Sequence, residues 1–442
     1  MTLLRPSYAT SYSVLAMFEH RPLGDAVSTQ RGGGTPSRQV GAYWGGPIPW
    51  ASVKDFAEGG SEILSTQEAI TERGLRASAS NLIPPGTPLV CTRMAVGRSA
   101  MAPMPTAINQ DVKALIPSHG TDAAYLLRLL QYVQPKAEAA AVGSTVKGIR
   151  IQGYLSISVP WAPAVEQPLI VSILDILDTT IRQTEEIIDK LKQVKQGLLH
   201  DLLTRGIADN GELRLPQTEA PHLYKESALA WLPKAWVVKK LPDLALGALM
   251  NGVFKEPKRV GGGVPLVNVA DLYRGQQIDL DRCERFAATD VERRRFGVVR
   301  GDIFFTRSSL KLEGIAQTSF VDDEPQDAVF ECHVIRLRPD PAVAVPRFLK
   351  EWCVTTRARS HFMSHAKQVT MTTISQDGIG SLNCPVPPLA EQVEAVRRIT
   401  ALDRRVQLEG LSLQKFRLLK SGLTDDLLTG RVRVTALPPV PI

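Results

Sequence analysis

His361 and His365 stand four residues apart in a segment patterned as a helix, which puts both imidazoles on one face and makes half of a metal site. No third ligand accompanies them, so metal chemistry is not expected. The glycine runs Gly32–Gly34 and Gly261–Gly263 are the next features that chemistry can use. Neither carries the Lys-Ser/Thr of a phosphate-cradling loop and neither is a well-placed G-x-G-x-x-G, so both read as flexible turns. An N-P-P-Y methyltransferase loop, a cofactor glycine motif and a nuclease-like acidic pair with a spaced lysine are all missing. No catalytic residue and no cofactor is therefore assigned. Cys91, Cys283, Cys332, Cys353 and Cys384 are scattered and odd in number, without a C-x-x-C pair. That argues against a disulfide framework or a zinc site and suits a reducing cytoplasm.

The chain has 442 residues, enough for more than one domain, and 44% of them are hydrophobic, enough for real cores. A net charge of +7 is compatible with a polyanionic partner without requiring one. No run of about 18 apolar residues exists, so no membrane span is expected. The start, with Arg5 and a Tyr/Ser-rich stretch, lacks the apolar core of a signal peptide.

The elements that must position any site come in duplicate. Residues 149–204 lie over 374–429 at a constant offset of 225 without a gap. Pro160, Pro163, Glu166 and Gln167 fall on Pro385, Pro388, Glu391 and Gln392. Gly197, Leu198, Asp201, Leu202 and Leu203 fall on Gly422, Leu423, Asp426, Leu427 and Leu428. In each copy a strand-like segment ends at a proline-rich stop, "SVPWAPAVEQ" or "NCPVPPLAEQ", because proline cannot donate to a sheet ladder. A long helix follows. Ile170, Leu174, Leu177, Ile181, Ile188, Leu191, Leu198 and Leu202 make a heptad-like stripe in the first copy. Val396, Ile399, Leu402, Val406, Leu413, Phe416, Leu423 and Leu427 do so in the second. Glu185, Glu186, Asp189, Lys190, Lys192 and Lys195 are placed on the remaining faces, and Gly206 is a C-terminal stop. Such a helix, roughly 37 residues and about 55 Å long, cannot bury its stripe alone, so the two are expected to pair. Gly197 and Gly422, costly inside a helix, point either to close backbone approach or to a kink.

The segments before each helix mix short β-like runs with one amphipathic helix each, "AAYLLRLLQYV" and "PRFLKEWCVTTRARSHFMSHA". "GTPLVCTR" ending at Arg93 matches "GDIFFTR" ending at Arg307, and "QDVKALIP" at 110–117 matches "CHVIRLRP" at 332–339. The expected fold is α+β: a head at 1–163, a spacer helix at 164–214, a second head at 215–388 and a second spacer at 389–434. Antiparallel coiled-coil pairing of the spacers gives an internal pseudo-twofold repeat.

This arrangement resembles the specificity subunits of type I restriction-modification systems. The resemblance is carried by "YWGGPIPWASVKDF" at 43–56, by the two proline stops, by the endings "LKQVKQGLLHDLLTRG" and "LQKFRLLKSGLTDDLLTG", and by "RGDIFFTRSSLKLEGIA" at 300–316. It implies two target-recognition domains reading a bipartite, asymmetric site on double-stranded DNA. It also implies two methyltransferase subunits and motor-nuclease subunits as partners, and a chain that is not itself an enzyme. Affinity is then expected from Lys and Arg on phosphates, and specificity from a few side chains at base edges. The candidates in the first head are Ser37, Arg38, Trp44, Lys54, Arg93, Arg98, Ser99 and Lys147. In the second they are Asn251, Lys255, Lys258, Arg259, Asn268, Arg307, Ser308, Lys311, Lys367 and Gln368. Trp44 and Trp50 also fit a packing role. The competing readings are a coiled-coil adaptor whose globular ends bind proteins, and a standalone methyltransferase or nuclease.

Overall fold

The short β-like runs form buried strands at Pro88–Cys91, Ile303–Thr306 and Val334–Leu337, and the strands before the long helices, Ser158–Pro160 and Asn383–Val386, end at the proline stops. The structure, a computed structural model, describes residues 17–275, 277–323, 327–368 and 371–434. The polar start with Arg5 lies outside them. The chain divides into two compact units, residues 1–186 with 410–442, and residues 187–409. Each holds one head and one stretch of each long helix.

In the first unit a four-stranded antiparallel sheet runs in the order Val27–Gly32, Val112–Pro117, Pro88–Cys91, Ser99–Met101. A second sheet orders Glu68–Ile70, Trp44–Ala51, Thr106–Ile108 and Asn81–Ile83, with a parallel pair at its centre. Asp122 caps the helix Ala123–Ala139 through its side chain. That helix buries Leu126, Leu129, Leu130 and Val133 against Ile170, Leu174, Leu427 and Leu428 of the long helices.

The second unit repeats this connectivity with one strand fewer in its second sheet. Met250–Asn251, Val334–Leu337, Ile303–Thr306 and Thr318–Phe320 form its four-stranded sheet. Glu284–Phe286, Val260–Val267 and Val329–Phe330 form the other, again with a parallel pair. The single helix expected over "PRFLKEWCVTTRARSHFMSHA" is two, Pro346–Cys353 and Thr356–Ser364, because the Thr355 hydroxyl accepts from Ala358 N–H and starts a new helix. The paired strands also correct the match between heads. Thr92 N–H donates to Asp111 O at 2.8 Å, and Arg307 N–H to His333 O at 2.8 Å. Thr92 therefore takes the place of Arg307, and Arg93 that of Ser308; the match of 110–117 to 332–339 stands.

The first glycine run is close-packed rather than flexible, while in the second Gly261 and Gly262 have open space around an added Cβ and Gly263 alone is crowded. A Cβ on Gly33 would lie 1.9 Å from Ile108 O, and one on Gly252, its counterpart, 1.9 Å from Phe330 O. Gly261 and Gly263 hold φ of 102° and 90° where Val260–Val267 bulges across Glu284–Phe286. Gly197 and Gly422 have nothing within 4 Å of an added Cβ, so the expected close approach is not there among the described residues.

The long helices span Gln167–Thr204 and Leu389–Thr429. Their starts explain the Glu-Gln pairs. Gln167 accepts Asp122 N–H at 2.9 Å and donates to Ala162 O at 3.0 Å. Gln392 accepts Val345 N–H at 2.8 Å and donates to Pro387 O at 2.9 Å. Asp122 and Val345 are the N-caps of the head helices, so each glutamine ties its head to its long helix. Glu166 is ion-paired with Arg433, whose guanidinium lies 4.8 Å from the Phe18 ring. Glu391 accepts from Arg214, from Ile207 N–H at 2.7 Å and from Trp236 Nε1 at 3.1 Å.

Charges facing the helices are paired too. Asp178 takes Arg128 of the first head and Lys420 of the other long helix; Asp403 takes Arg347 of the second head and Lys195. Arg417 pairs with Glu185. Lys195 and Glu185, placed on outward faces from the sequence, thus bond across to the neighbouring helix. Within the first unit, residue numbers rise on one helix as they fall on the other, from 178 with 420 to 185 with 417, so these stretches run antiparallel.

Replacing Glu391 with Ala leaves the Arg214 guanidinium without its carboxylate and two N–H groups unmet in a site where the Glu391 side chain is 9% exposed. Urea denaturation should report a loss of about 3–5 kcal/mol. Removing Arg76, in the exposed pair with Glu72, should cost under about 1 kcal/mol.

Candidate nucleic-acid interface

In the second unit the polar loops gather where the strand Ile303–Thr306 ends and Val334–Leu337 begins. Ser308–Ser309, Thr372–Thr373 and Lys367–Gln368 form one small ribbon there, leaving Lys367 and Gln368 exposed. Two open depressions of about 580 and 830 Å³ adjoin, sharing Val269, Glu331 and His333. Lys255 and Asn268 line the first, Ser308 and Lys311 the second. The fold thus brings Lys255, Asn268, Ser308 and Lys311 around one exposed imidazole, His333. Arg307 is exposed beside it, its N–H bonded to His333 O. The sequence reading missed His333; its register match to Asp111 was the available signal.

Other candidates in this head hold the loops in place. Asn251 donates to Cys332 O at 2.9 Å and accepts from Gln376 Nε2 at 2.7 Å. Arg259 packs 4.5 Å over the Phe286 ring, donates to Ala287 O at 2.7 Å and pairs with Glu292. Asn268 donates to Leu266 O at 3.0 Å and starts the turn Val269–Tyr273. Lys255 pairs with Glu284. Lys258 is exposed in the turn Pro257–Arg259. Ser308 is buried, its hydroxyl 3.2 Å from His333 Nδ1.

In the first unit Arg98 and Lys147 line one depression of about 440 Å³. Arg98 reaches Glu58 at 3.3 Å, and Lys147 O accepts Met94 N–H at 2.9 Å. Arg93 is half exposed and 3.2 Å from the Asp111 carboxylate. Arg38 and Trp44 form a packing unit instead. The guanidinium lies 3.8 Å over the Trp44 ring and pairs with Glu68, whose carboxylate raises the Arg38 pKa above its ordinary value. Trp44 donates to Ser37 O at 3.1 Å and meets Trp50 edge-on at 5.2 Å. Ser37 and Lys54 are exposed. Ser99, in the strand Ser99–Met101, is buried, which leaves its side chain no surface to offer a ligand.

His361 and His365 stack with ring centroids 4.1 Å apart. Burial lowers the His361 pKa, and its Nε2 meets the Ser381 hydroxyl at 3.1 Å. The group of potential metal ligands among the described residues is a different one, Glu331, Cys332 and His333. Glu331 Oε2 there accepts His333 N–H at 3.1 Å, and the His333 Nδ1 faces Ser308. All five cysteines are free thiols, and no helix among the described residues is long and apolar enough to cross a membrane.

The Arg259 hydrogen bond, opposed by desolvation, holds the Glu292 carboxyl down at about 2. A depressed carboxyl contributes stability above its unfolded pKa and loses it as pH falls through the folded one. The contact should therefore survive acidification through pH 4 and break only near pH 2. Arg259→Ala should return the Glu292 titration, followed by carboxyl NMR shifts, toward the ordinary range and lower thermal stability. Lys258→Ala should change neither.

The family model described as "Type I restriction modification DNA specificity domain" matches residues 17–193 and 233–415. Over 252 residues the chain is 27% identical to the type I restriction enzyme MjaIX specificity subunit of Methanocaldococcus jannaschii, covering 56% of each chain. It is 27% identical over 278 residues to the EcoKI specificity subunit of Escherichia coli K12, covering 60% of this chain and 55% of that one. The match spans about half the length of these curated relatives. The solved S subunit of a type I restriction-modification system from M. genitalium shares the fold. Its TM-score is 0.57 and its identity 14%, over 96% of this chain and 99% of that one.

Proposed function

We propose, because this chain belongs to the type I restriction-modification DNA specificity family, that it is the subunit that chooses the DNA sequence on which such a system acts. It has no catalytic step of its own. One observation carries the reading: the family model matches twice, and the two heads it matches share the strand order of their four-stranded antiparallel sheet while differing in their exposed loop chemistry. A constant scaffold with two dissimilar surfaces suits a bipartite, asymmetric target on double-stranded DNA.

The heads are residues 1–163 and 215–388, and the spacers 164–214 and 389–434. The spacers pair as an antiparallel coiled coil and relate the heads by a pseudo-twofold axis. Helices of about 55 Å suit recognition sites one to two DNA turns apart, at roughly 34–36 Å per turn. Two methyltransferase subunits and the motor-nuclease subunits are the protein partners, and the complex works in the cytoplasm. Phosphate contacts fall to exposed cations such as Lys54, Lys147, Lys258, Arg307, Lys311 and Lys367. A protein-binding adaptor is not favoured, since the matched family is one of DNA specificity.

Exchanging residues 1–163 for the head of a related subunit should change one half of the methylated motif in host DNA and leave the other half intact. Methylome sequencing reads this directly; a change in both halves, or in neither, would refute separate reading heads. Sequence-specific binding should also weaken steeply with salt, by about 0.9 log unit per tenfold salt for each phosphate contact.

A further inference from the structure

Both heads put one side-chain pair at the same place in the same strand register, and each gives it different chemistry. In the first head Thr92 N–H donates to Asp111 O at 2.8 Å, Ile149 N–H donates to Thr92 O at 2.9 Å, and Arg93 bridges Gly148. In the second, Arg307 N–H donates to His333 O at 2.8 Å, Ile374 N–H donates to Arg307 O at 3.0 Å, and Ser308 pairs with Thr373. Asp111 therefore corresponds to His333 and Arg93 to Ser308. The paired side chains touch in both heads. Arg93 Nη1 is 3.2 Å from the Asp111 carboxylate, and the Ser308 hydroxyl is 3.2 Å from His333 Nδ1.

Burial divides the roles. Arg93 is 54% exposed while the Asp111 side chain is 11% exposed, so the arginine faces outward and the acid aims it. In the second head the order is reversed: Ser308 is buried and His333 is exposed. The loops around each pair carry cations, Lys147 beside Arg93 and both Lys255 and Lys311 beside His333.

We propose that this pair is the base-reading position of each head, a refinement that rests on the DNA-specificity reading above. Arg93, oriented by Asp111, presents a fork of N–H donors matched to the O6 and N7 acceptors of guanine. His333, held at Nδ1 by Ser308, presents Nε2 to a base edge in the other half-site. Asp111 and Ser308 are positioning residues.

The test is selection of bound duplexes from a randomised DNA pool by the full chain, wild type beside Arg93→Lys, Asp111→Asn, His333→Ala and Ser308→Ala. Arg93→Lys keeps the charge and loses the fork. It should lower discrimination for guanine at one position of one half-motif on the order of tenfold or more, with overall binding retained. Asp111→Asn should relax the same position. His333→Ala and Ser308→Ala should relax a position in the other half-motif only. The unchanged half-motif reports in each case that the chain is folded. Full discrimination at every position in the variants would overturn the proposal, and so would uniform weakening across all sequences, the mark of a phosphate contact. A wild-type chain that selects no motif would instead bring down the specificity reading itself.

Discussion

A buried carboxylate at the start of each long helix is the constraint that the remaining architecture obeys. Glu166 and Glu391 are charged groups with almost no access to water, tolerable only when fully paired. Each is met by an arginine that follows the end of the other long helix, Arg433 for one and Arg214 for the other. In the first unit this fixes the segment after Thr429 against the helix start at Gln167. In the second it fixes the segment after Thr204 against the start at Leu389. Gly206 and Gly430, with φ of 62° and 78°, let the chain turn out of each helix at that point. A Cβ at Gly206 would come within 2.1 Å of Glu391 Oε1, so the turn and the ion pair depend on each other.

The Arg–Asp–Lys sets extend the same logic along the helices. Arg128 and Arg347 leave the head helices to reach Asp178 and Asp403, which also hold Lys420 and Lys195. Each aspartate thus joins a head to both long helices of its unit. Removing either aspartate would leave two partly buried cations facing each other without it, whereas removing one cation leaves the aspartate its other partner.

The periodic parts of this architecture were legible in the chain. The offset of 225, the proline stops and the helical stripes pointed to the two long helices, which run Gln167–Thr204 and Leu389–Thr429, since their signals are local and repeated. The heads were harder. Their strands are short and pair across long loops, so register follows from tertiary packing that no local pattern encodes. That is why Arg93 was aligned to Arg307 when backbone pairing sets it against Ser308. The glycine runs were taken for loose turns because a sequence does not show that Ile108 O lies beside Gly33. Candidate ligand contacts were chosen by residue type in polar loops, which cannot separate an exposed Lys367 from an Arg259 spent on Phe286 and Glu292. His333 was passed over because its residue type alone does not mark it, although the match of 110–117 to 332–339 sets it in the place of Asp111.

The two helix-starting glutamines address the heads through main-chain atoms alone: Gln167 takes an N–H from Asp122 and gives to Ala162 O, and Gln392 does the same with Val345 and Pro387 O. An amide that recognises only peptide groups is indifferent to the side chains beyond them. These two contacts are therefore blind to what a head says, and drift or recombination can rewrite a head's vocabulary so long as the Arg128 and Arg347 pairs with Asp178 and Asp403 are kept.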